Sequence, residues 1–235
     1  METLRTLYID LLKKSLMDIG IYTEMHEAAE NGTYWPPRAF TMIGSKRLNN
    51  LQFCIEDVIK NGVAGDFIET GVWRGGSVIF MQGMLKAFQE NRRVFVADSF
   101  QGVPPPNVEK YPIDKASTLH EVELLKVTKE QVERNFQLYN LLDSNVVFLE
   151  GWFKDTLNTD LITELAILRL DGDLYESTID SLNALYHKLS RGGYIIIDDY
   201  KHPACRAAVT EFRTRKQIVS PIIIIDSWGA YWKNE

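Results

Sequence analysis

The sequence has little cysteine and no long apolar run, and each scarcity excludes a class of protein. Cys54 and Cys205 are its two cysteines, too few for a disulfide framework and at no zinc-site spacing, so free thiols in a reducing cytoplasm are expected. The apolar run Ile222–Ile225 has only the length of a strand, well below a membrane span. Charges appear early in the N-terminal region, so no signal peptide is expected. The prediction is a cytoplasmic protein with no membrane partner.

Positive charge is also scarce. The chain carries 26 lysines and arginines against 32 aspartates and glutamates, for a net charge of −6. Without a basic run, nucleic acid is not an expected partner. Hydrophobic residues make up 45% of the 235, which is ample for a buried core. The length fits one domain, 1–235, in which an N-terminal helical segment, 1–62, precedes a Rossmann-like core, 63–235, and contributes to a lid over the cofactor and substrate.

Short apolar runs alternate with helical stretches along the core. The predicted strands are Asp66–Thr70, Val94–Ala97, Val146–Leu149, Leu165–Leu170 and Tyr194–Ile197, with a terminal hairpin of Ile218–Ile225 and Ala230–Trp232. The predicted helices are Leu4–Leu16, Ser45–Asn61, Ser77–Asn91, Lys129–Leu142, Ile179–Leu189 and Ala204–Arg215, with Arg191–Gly193 as a turn after the fifth of these. This alternation predicts an α/β fold, with a mostly parallel sheet covered by helices on both faces.

Acidic residues stand at the carboxyl ends of four predicted strands. They are Glu69, Asp98, Asp171 and the pair Asp198–Asp199. Ligands of open parallel sheets bind at these ends. So many carboxylates in one crevice require cations or hydrogen-bond donors. A site for a ribose, an ammonium group and a metal ion satisfies that requirement.

The turn after the first strand, Glu69–Gly76, brings the backbone close to a ligand. Its glycines Gly71 and Gly75 are four residues apart, which does not match the dinucleotide fingerprint and disfavours a nicotinamide oxidoreductase. Glu69 repels a pyrophosphate but suits an ammonium group. A glycine turn used for geometry alone is the alternative.

The remaining acidic residues suit a ribose and a hard metal ion. Asp98 can accept both ribose hydroxyls, although an N-cap role is equally consistent. Asp171, Asp198 and Asp199 offer the oxygen ligands that Mg²⁺ prefers, whereas a cap on the helix near Ala204 is the alternative for the last two.

The general base stays open among several residues. Asp171 can take a proton directly, and Lys201 and His202 follow the acidic pair closely in the chain. His120, beyond the proline-rich loop, is a further candidate. A solvated surface histidine is the alternative for His120 and His202.

Several ordered motifs together resemble the TylF/MycF family of macrocin-type sugar O-methyltransferases, over nearly the whole chain. The motifs are Leu7–Leu12, Thr41–Gly44, Arg47–Leu51, Asp66–Gly76, Asp98–Gly102, Gly151–Leu157, Leu170–Ser177, Gly192–Tyr200 and Ala230–Trp232. The resemblance implies a class I methyltransferase fold ending in an antiparallel hairpin strand, with S-adenosylmethionine (SAM) as donor and Mg²⁺ as cofactor. It also implies Asp171, Asp198 and Asp199 as the metal ligands.

The pattern and the resemblance together give a set of cofactor-binding residues. They are Thr41, Met42, Glu69, Thr70, Gly71, Val72, Trp73, Asp98, Ser99, Phe100, Gly102, Gly151 and Trp152. Phe40 departs from the family, which often has histidine at that position. The lid, Val103–Leu125, is specific to this chain and should select the acceptor.

The resemblance predicts methyl transfer to a hydroxyl of a sugar or glycoside by a homo-oligomer. A metal-dependent O-methyltransferase of catechol-like phenols is one alternative. A non-catalytic SAM-binding protein is another, and the complete set of metal-type carboxylates argues against it.

Overall fold

A seven-stranded sheet forms the centre of the computed structural model, which describes residues 2–20 and 24–235. Its strand order is β3-β2-β1-β4-β5-β7-β6. The strands are β1 Asp66–Thr70, β2 Val94–Asp98, β3 Val146–Glu150, β4 Leu165–Leu170, β5 Leu189–Ile197, β6 Ile223–Ile224 and β7 Ala230–Lys233. Strands β1 to β5 pair in parallel, whereas β7 runs antiparallel to both β5 and β6. The predicted α/β fold with an antiparallel C-terminal strand is confirmed.

Helices cover both faces of this sheet. They are α1 Glu2–Leu16, α2 Glu27–Glu30, α3 Gly44–Lys60, α4 Gly76–Phe88, α5 Lys129–Leu138, α6 Phe153–Thr156, α7 Tyr175–Leu185 and α8 Pro203–Lys216. One core cluster joins α1, α3, α4 and α5 to one face, and a second joins α7 and α8 to the other. In the described residues, no helix combines the length and the apolar character that a bilayer crossing needs.

Successive strand residues supply the two cores in turn, because side chains alternate between the faces of a sheet. Phe67 lies in the first cluster and Ile68 in the second, and the same alternation holds for Ile167 and Leu168. This double burial explains why the strands are continuous apolar runs.

The sequence prediction was wrong in the region between α7 and β5. The predicted helix Ile179–Leu189 is displaced, since α7 spans Tyr175–Leu185 and Leu189 begins β5. The predicted turn Arg191–Gly193 lies inside β5. Leu189 pairs with Leu165, but Tyr194 pairs with Ile167, so a bulge absorbs the extra residues. Gly192 makes the bulge possible with φ of 85°.

Two other predicted helices and one predicted strand are longer than the elements in the structure. Helix α4 ends at Phe88 rather than Asn91, because Gln89 takes a left-handed conformation with φ of 59°. Helix α5 ends at Leu138 rather than Leu142, and Asn140 is left-handed there too. In the terminal hairpin, only Ile223–Ile224 of the predicted first strand is paired.

Candidate active site

The carboxyl ends of β1, β2, β4 and β5 open on one cavity of about 650 Å³. The turns that follow these strands supply most of its floor. Thr41 and Met42, in the segment before α3, close it from the N-terminal side. Residues of the lid, 103–125, form a further wall.

The turn at residues 69–76 follows β1 and needs glycine at two positions. Gly71 has φ of 86°, and a Cβ there would meet the carbonyl oxygen of Asp171 at 1.8 Å. At Gly76, a Cβ would meet the carbonyl oxygen of Phe40 at 2.5 Å, and the Gly76 N–H donates to that oxygen at 2.9 Å. These glycines let β4 and the N-terminal segment approach the turn, which leaves the backbone of residues 71–73 facing the cavity.

Asp98 closes β2 and is held by backbone donors. Its carboxylate accepts hydrogen bonds from the N–H groups of Val72 and Phe100, each at 2.8 Å. Burial raises its pKa, while these N–H groups oppose the shift. Asp98 lines the cavity, so a carboxylate of fixed orientation is presented to a ligand.

Glu69 lies behind the turn rather than in the cavity wall. Its carboxylate accepts from the Ser77 hydroxyl at 2.6 Å and pairs with Arg169. Burial raises its pKa to about 7, and the Arg169 charge opposes that shift. Because these partners occupy its oxygens, the geometry does not favour the direct contact with an ammonium group that the sequence suggested.

Three aspartates from neighbouring strand ends converge on the cavity. Asp171 follows β4, and Asp198 and Asp199 follow β5. One carboxylate oxygen of each lies within 4.8 Å of the other two. Three oxygen donors at this separation match the hard ligand set of Mg²⁺, so the residues fit a divalent metal ion.

The charges in this cluster are incompletely balanced. Burial, and then repulsion by Asp198, raises the pKa of Asp171 to about 6. Burial and the charge of Asp171 raise the pKa of Asp173 to about 7. Burial and repulsion by Asp173 hold the pKa of Asp199 well above its usual range. A bound cation would offset this surplus of negative charge.

Arg169, on β4, supplies a counter-charge in the cluster. Its guanidinium pairs with Glu69 and Asp198, and with Asp171 at 2.8 Å, and only 1% of its side chain is exposed. Arg169 therefore joins Glu69, behind the turn at residues 69–76, to Asp171 and Asp198.

Arg47, on α3, brings the N-terminal segment to the same cluster. It pairs with Asp198 and, through Nε at 3.1 Å, with Asp226. Its Nη2 donates to the carbonyl oxygen of Gly32 at 3.1 Å. These bonds fix α3 and the loop before it against the metal-type aspartates.

Most of the predicted site residues line the cavity. They are Thr41, Met42, Gly71, Val72, Trp73, Asp98, Ser99, Gly102, Trp152, Asp171, Asp198, Asp199 and His202. Four predicted cofactor residues are not among those that line it: Glu69, Thr70, Phe100 and Gly151.

Lys201 also lies outside this wall. It is exposed, with its ammonium 4.7 Å from the ring centroid of Trp228. His120 is half-buried in the lid segment, and its Nε2 is 3.8 Å from Glu121.

Sequence reasoning missed the two arginines of the cluster. The signal for Arg169 was present, since a charged residue within the apolar run Leu165–Leu170 must be paired if the strand is buried. Arg47 carried no such signal, because it contacts Asp198 across 151 residues of chain.

Comparisons with known proteins identify the family of the chain. The family profile of macrocin-O-methyltransferase (TylF) matches residues 2–234. The 8-demethyl-8-(2,3-dimethoxy-alpha-L-rhamnosyl)-tetracenomycin-C 4'-O-methyltransferase of Streptomyces olivaceus is 48% identical over 246 residues, across 99% of this chain and 94% of that enzyme.

A second relative and a solved structure match equally well. The mycinamicin III 3''-O-methyltransferase of Micromonospora griseorubida is 48% identical over 243 residues, across 97% of this chain and 96% of that enzyme. The solved structure of the O-methyltransferase NovP superposes with a TM-score of 0.94 at 49% identity, across 98% of this chain and 99% of that one.

Proposed function

This chain belongs to the macrocin-O-methyltransferase (TylF) family and is an O-methyltransferase, and from that premise we propose that it methylates a hydroxyl of a glycosylated natural product. The donor is SAM, and Mg²⁺ is the second cofactor. The observation that carries the proposal is the convergence of the glycine turn, Asp98 and three metal-type aspartates on one cavity.

The turn after β1 and Asp98 form the donor side of the site. SAM supplies a methyl group on a positively charged sulfur. The backbone at Gly71 and Val72 contacts the methionine portion, because both residues line the cavity. Asp98 accepts hydrogen bonds from the ribose hydroxyls, and Trp152 forms a wall for the adenine.

The three aspartates form the acceptor side. If bound by Asp171, Asp198 and Asp199, a divalent cation would lower the pKa of an acceptor hydroxyl. Asp171 takes the proton, since 27% of its side chain is exposed against 7% for Asp198. Most of the rate gain comes from holding two reactants in line.

His202 is the alternative proton acceptor. It lines the cavity, and its buried Nδ1 has no hydrogen-bond partner among the described residues. We no longer favour Lys201, because its side chain lies outside the cavity wall against Trp228.

The cavity walls favour a neutral glycoside with an apolar portion as acceptor. Trp35, Trp228, Leu119 and Leu125 line the acceptor side. Aromatic and apolar side chains of this kind suit a sugar ring and a hydrophobic aglycone. The surplus of carboxylates near the metal-type aspartates disfavours an anionic nucleotide sugar. The relatives named for mycinamicin III and for a rhamnosyl tetracenomycin agree with this class.

Mass spectrometry of methyl transfer from SAM tests the proposal. Mycinamicin III, the rhamnosyl tetracenomycin and a simple catechol serve as acceptors, with and without EDTA. We expect a gain of one methyl group on a glycoside, loss of turnover in EDTA and recovery with Mg²⁺. Methylation of the catechol alone, or full activity in EDTA, contradicts the proposal.

Two matched substitutions identify the proton acceptor. Asp171→Asn should lower kcat by about 10²–10⁴-fold, with the affinity for S-adenosylhomocysteine (SAH) little changed. His202→Asn should retain most of the activity. The opposite ranking of the two variants assigns the base to His202.

We also propose that the enzyme is a homo-oligomer that uses α1. Leu4, Leu7 and Leu11 form an apolar row on this helix and are 72%, 61% and 67% exposed. Light scattering after size-exclusion chromatography should give a multiple of the chain mass. Leu7→Glu should reduce it to the monomer, and a monomeric wild-type protein contradicts the proposal.

A further inference from the structure

The turn at residues 69–76 also contacts the lid directly. Trp73 follows Gly71 in the turn and has φ of 48°, a left-handed conformation that is rare for a bulky side chain. Its Nε1–H donates to the carbonyl oxygen of Leu124 at 2.8 Å. The next residue, Leu125, lines the same cavity as Trp73. The side chain of Trp73 therefore links the donor turn to the acceptor wall.

The neighbouring residue, Arg74, contacts the N-terminal segment before α3, at residues 36–40. Its Nη1 donates to the carbonyl oxygens of Pro37 and Ala39, each at 2.9 Å. Its guanidinium lies 4.2 Å from the ring centroid of Trp73. Asn135, on α5, donates to the Arg74 carbonyl oxygen at 2.8 Å and fixes the backbone between these contacts.

The lid has little regular secondary structure. It contains only three single-turn 3₁₀ helices, at Pro112–Ala116, Leu119–Glu121 and Glu123–Leu125. Asp114 anchors its middle, since its buried carboxylate accepts from the Tyr175 N–H at 2.8 Å. A segment without long helices or strands depends strongly on such single contacts.

We propose that Trp73 and Arg74 are positioning residues that couple donor binding to the order of both acceptor walls. This inference rests on the proposed function. A donor bound against residues 71–73 holds the strained turn in one conformation, since such strain persists only where the surroundings fix it. The indole N–H then orders residues 119–126, and the guanidinium orders residues 36–40. The acceptor chamber is thus complete only when the donor is in place.

Hydrogen exchange of the full chain with and without SAH tests this coupling. In the wild type, we expect SAH to slow exchange in residues 69–76, and also in residues 36–40 and 119–126. In the lid, the slowing should be about fivefold, which corresponds to one neutral hydrogen bond. Isothermal titration of SAH on each variant separates loss of binding from loss of coupling.

Two conservative substitutions separate the two walls. Trp73→Phe keeps an aromatic ring but removes the N–H donor. Because Trp73 lines the cavity, SAH is added to saturation as judged by titration, and slowing at residues 119–126 should then disappear while slowing at residues 69–76 persists. Arg74→Lys keeps the charge but removes the planar fork, so only residues 36–40 should lose their response.

Trp232→Phe is the matched control. Trp232 is fully buried in the second core, on β7, and its Nε1 has no hydrogen-bond partner among the described residues. This variant should be less stable, yet it should keep the response of both walls to SAH.

Three outcomes overturn the coupling. One is that Trp73→Phe keeps the lid response, another that wild-type protein binds SAH but shows no response in the lid, and the third that Trp232→Phe loses the response as fully as Trp73→Phe does. If wild-type protein does not bind SAH at all, the proposed function fails instead.

Discussion

Asp199→Asn should make the protein more stable without metal and unable to gain stability from it. Asp199 is the best of the three metal-type aspartates for this test, because Asp198 also pairs with Arg47 and Arg169. The Asp173 side chain is a hydrogen-bond partner of its carboxylate, which also accepts from the Asp173 N–H at 3.0 Å. An asparagine oxygen can still accept that bond, so the main change is one negative charge.

The expected gain in stability follows from the separation of the three carboxylates of Asp171, Asp198 and Asp199, here called the triad. Two unit charges at the 4.8 Å limit of the triad repel by about 3.5 kcal/mol at an effective dielectric constant of about 20. Arg169 and water in the cavity reduce this, so we expect a gain of about 1–2 kcal/mol in the free energy of unfolding at pH 8. For a chain of this size that is a rise in Tm of about 2–8 °C.

The sign of the pH dependence follows from the raised pKa of Asp199. When the pKa of a carboxyl group is higher in the folded than in the unfolded protein, the free energy of unfolding falls as the pH rises from the lower of these two pKa values to the higher. The advantage of Asp199→Asn should therefore be larger at pH 8, where more of the wild-type group is ionised, than at pH 5.

Thermal unfolding in EDTA and in a series of Mg²⁺ concentrations measures both effects. Wild-type Tm should rise with Mg²⁺, whereas that of Asp199→Asn should stay constant. Asp173→Asn is the matched control, since it also removes a buried charge, with a pKa raised to about 7, but lies outside the triad. It should be stabilised in EDTA and should still respond to Mg²⁺. A lower Tm of Asp199→Asn in EDTA, or a normal response to Mg²⁺, refutes the reasoning.

Three further substitutions test other parts of the site. Gly71→Ala should lower the free energy of unfolding by several kcal/mol and abolish SAH binding, because its Cβ meets the Asp171 carbonyl oxygen at 1.8 Å. Urea unfolding measures the stability and titration calorimetry the SAH affinity. Near-normal values of both contradict the prediction. Asp98→Asn should weaken SAH by about tenfold or more while the response of Tm to Mg²⁺ persists; unchanged affinity removes Asp98 from the donor site. Arg169→Met should cost about 3–5 kcal/mol of stability in urea, since it leaves buried carboxylates unpaired; a cost below about 1 kcal/mol contradicts that role.

Much of the fold was predictable because doubly buried strands leave a plain signal. Strands β1 to β4 were placed within one residue, and the carboxyl ends of parallel strands necessarily meet at one edge. The bulge in β5 was not predictable. Gly192 and Gly193 read as a turn, and only the pairing with β4 shows that the strand continues through them.

The site was predictable to the extent that its residues stand at strand ends. Asp98, Asp171 and Asp198 follow from that position alone. The placement of Glu69 behind the turn did not, because it depends on Ser77 and Arg169 reaching its carboxylate first. The walls supplied by the lid were unpredictable as well, since irregular backbone carries no period from which its path can be derived.

The pairing of Arg169 with Glu69 shows how far the contacts of the site could be predicted from the sequence. Parallel strands that end together place residues at equal distances from their ends side by side, and Glu69 is the register partner of Arg169. That contact was within reach of the sequence once β1 and β4 were taken as neighbours. The contact with Asp171 lies within the same segment, two residues along, whereas the contact with Asp198 needed β5 and that of Arg47 needed the packing of α3. Arg169 pairs with Glu69, behind the turn that follows β1, and with Asp171 and Asp198, so one buried cation connects the ends of β1, β4 and β5.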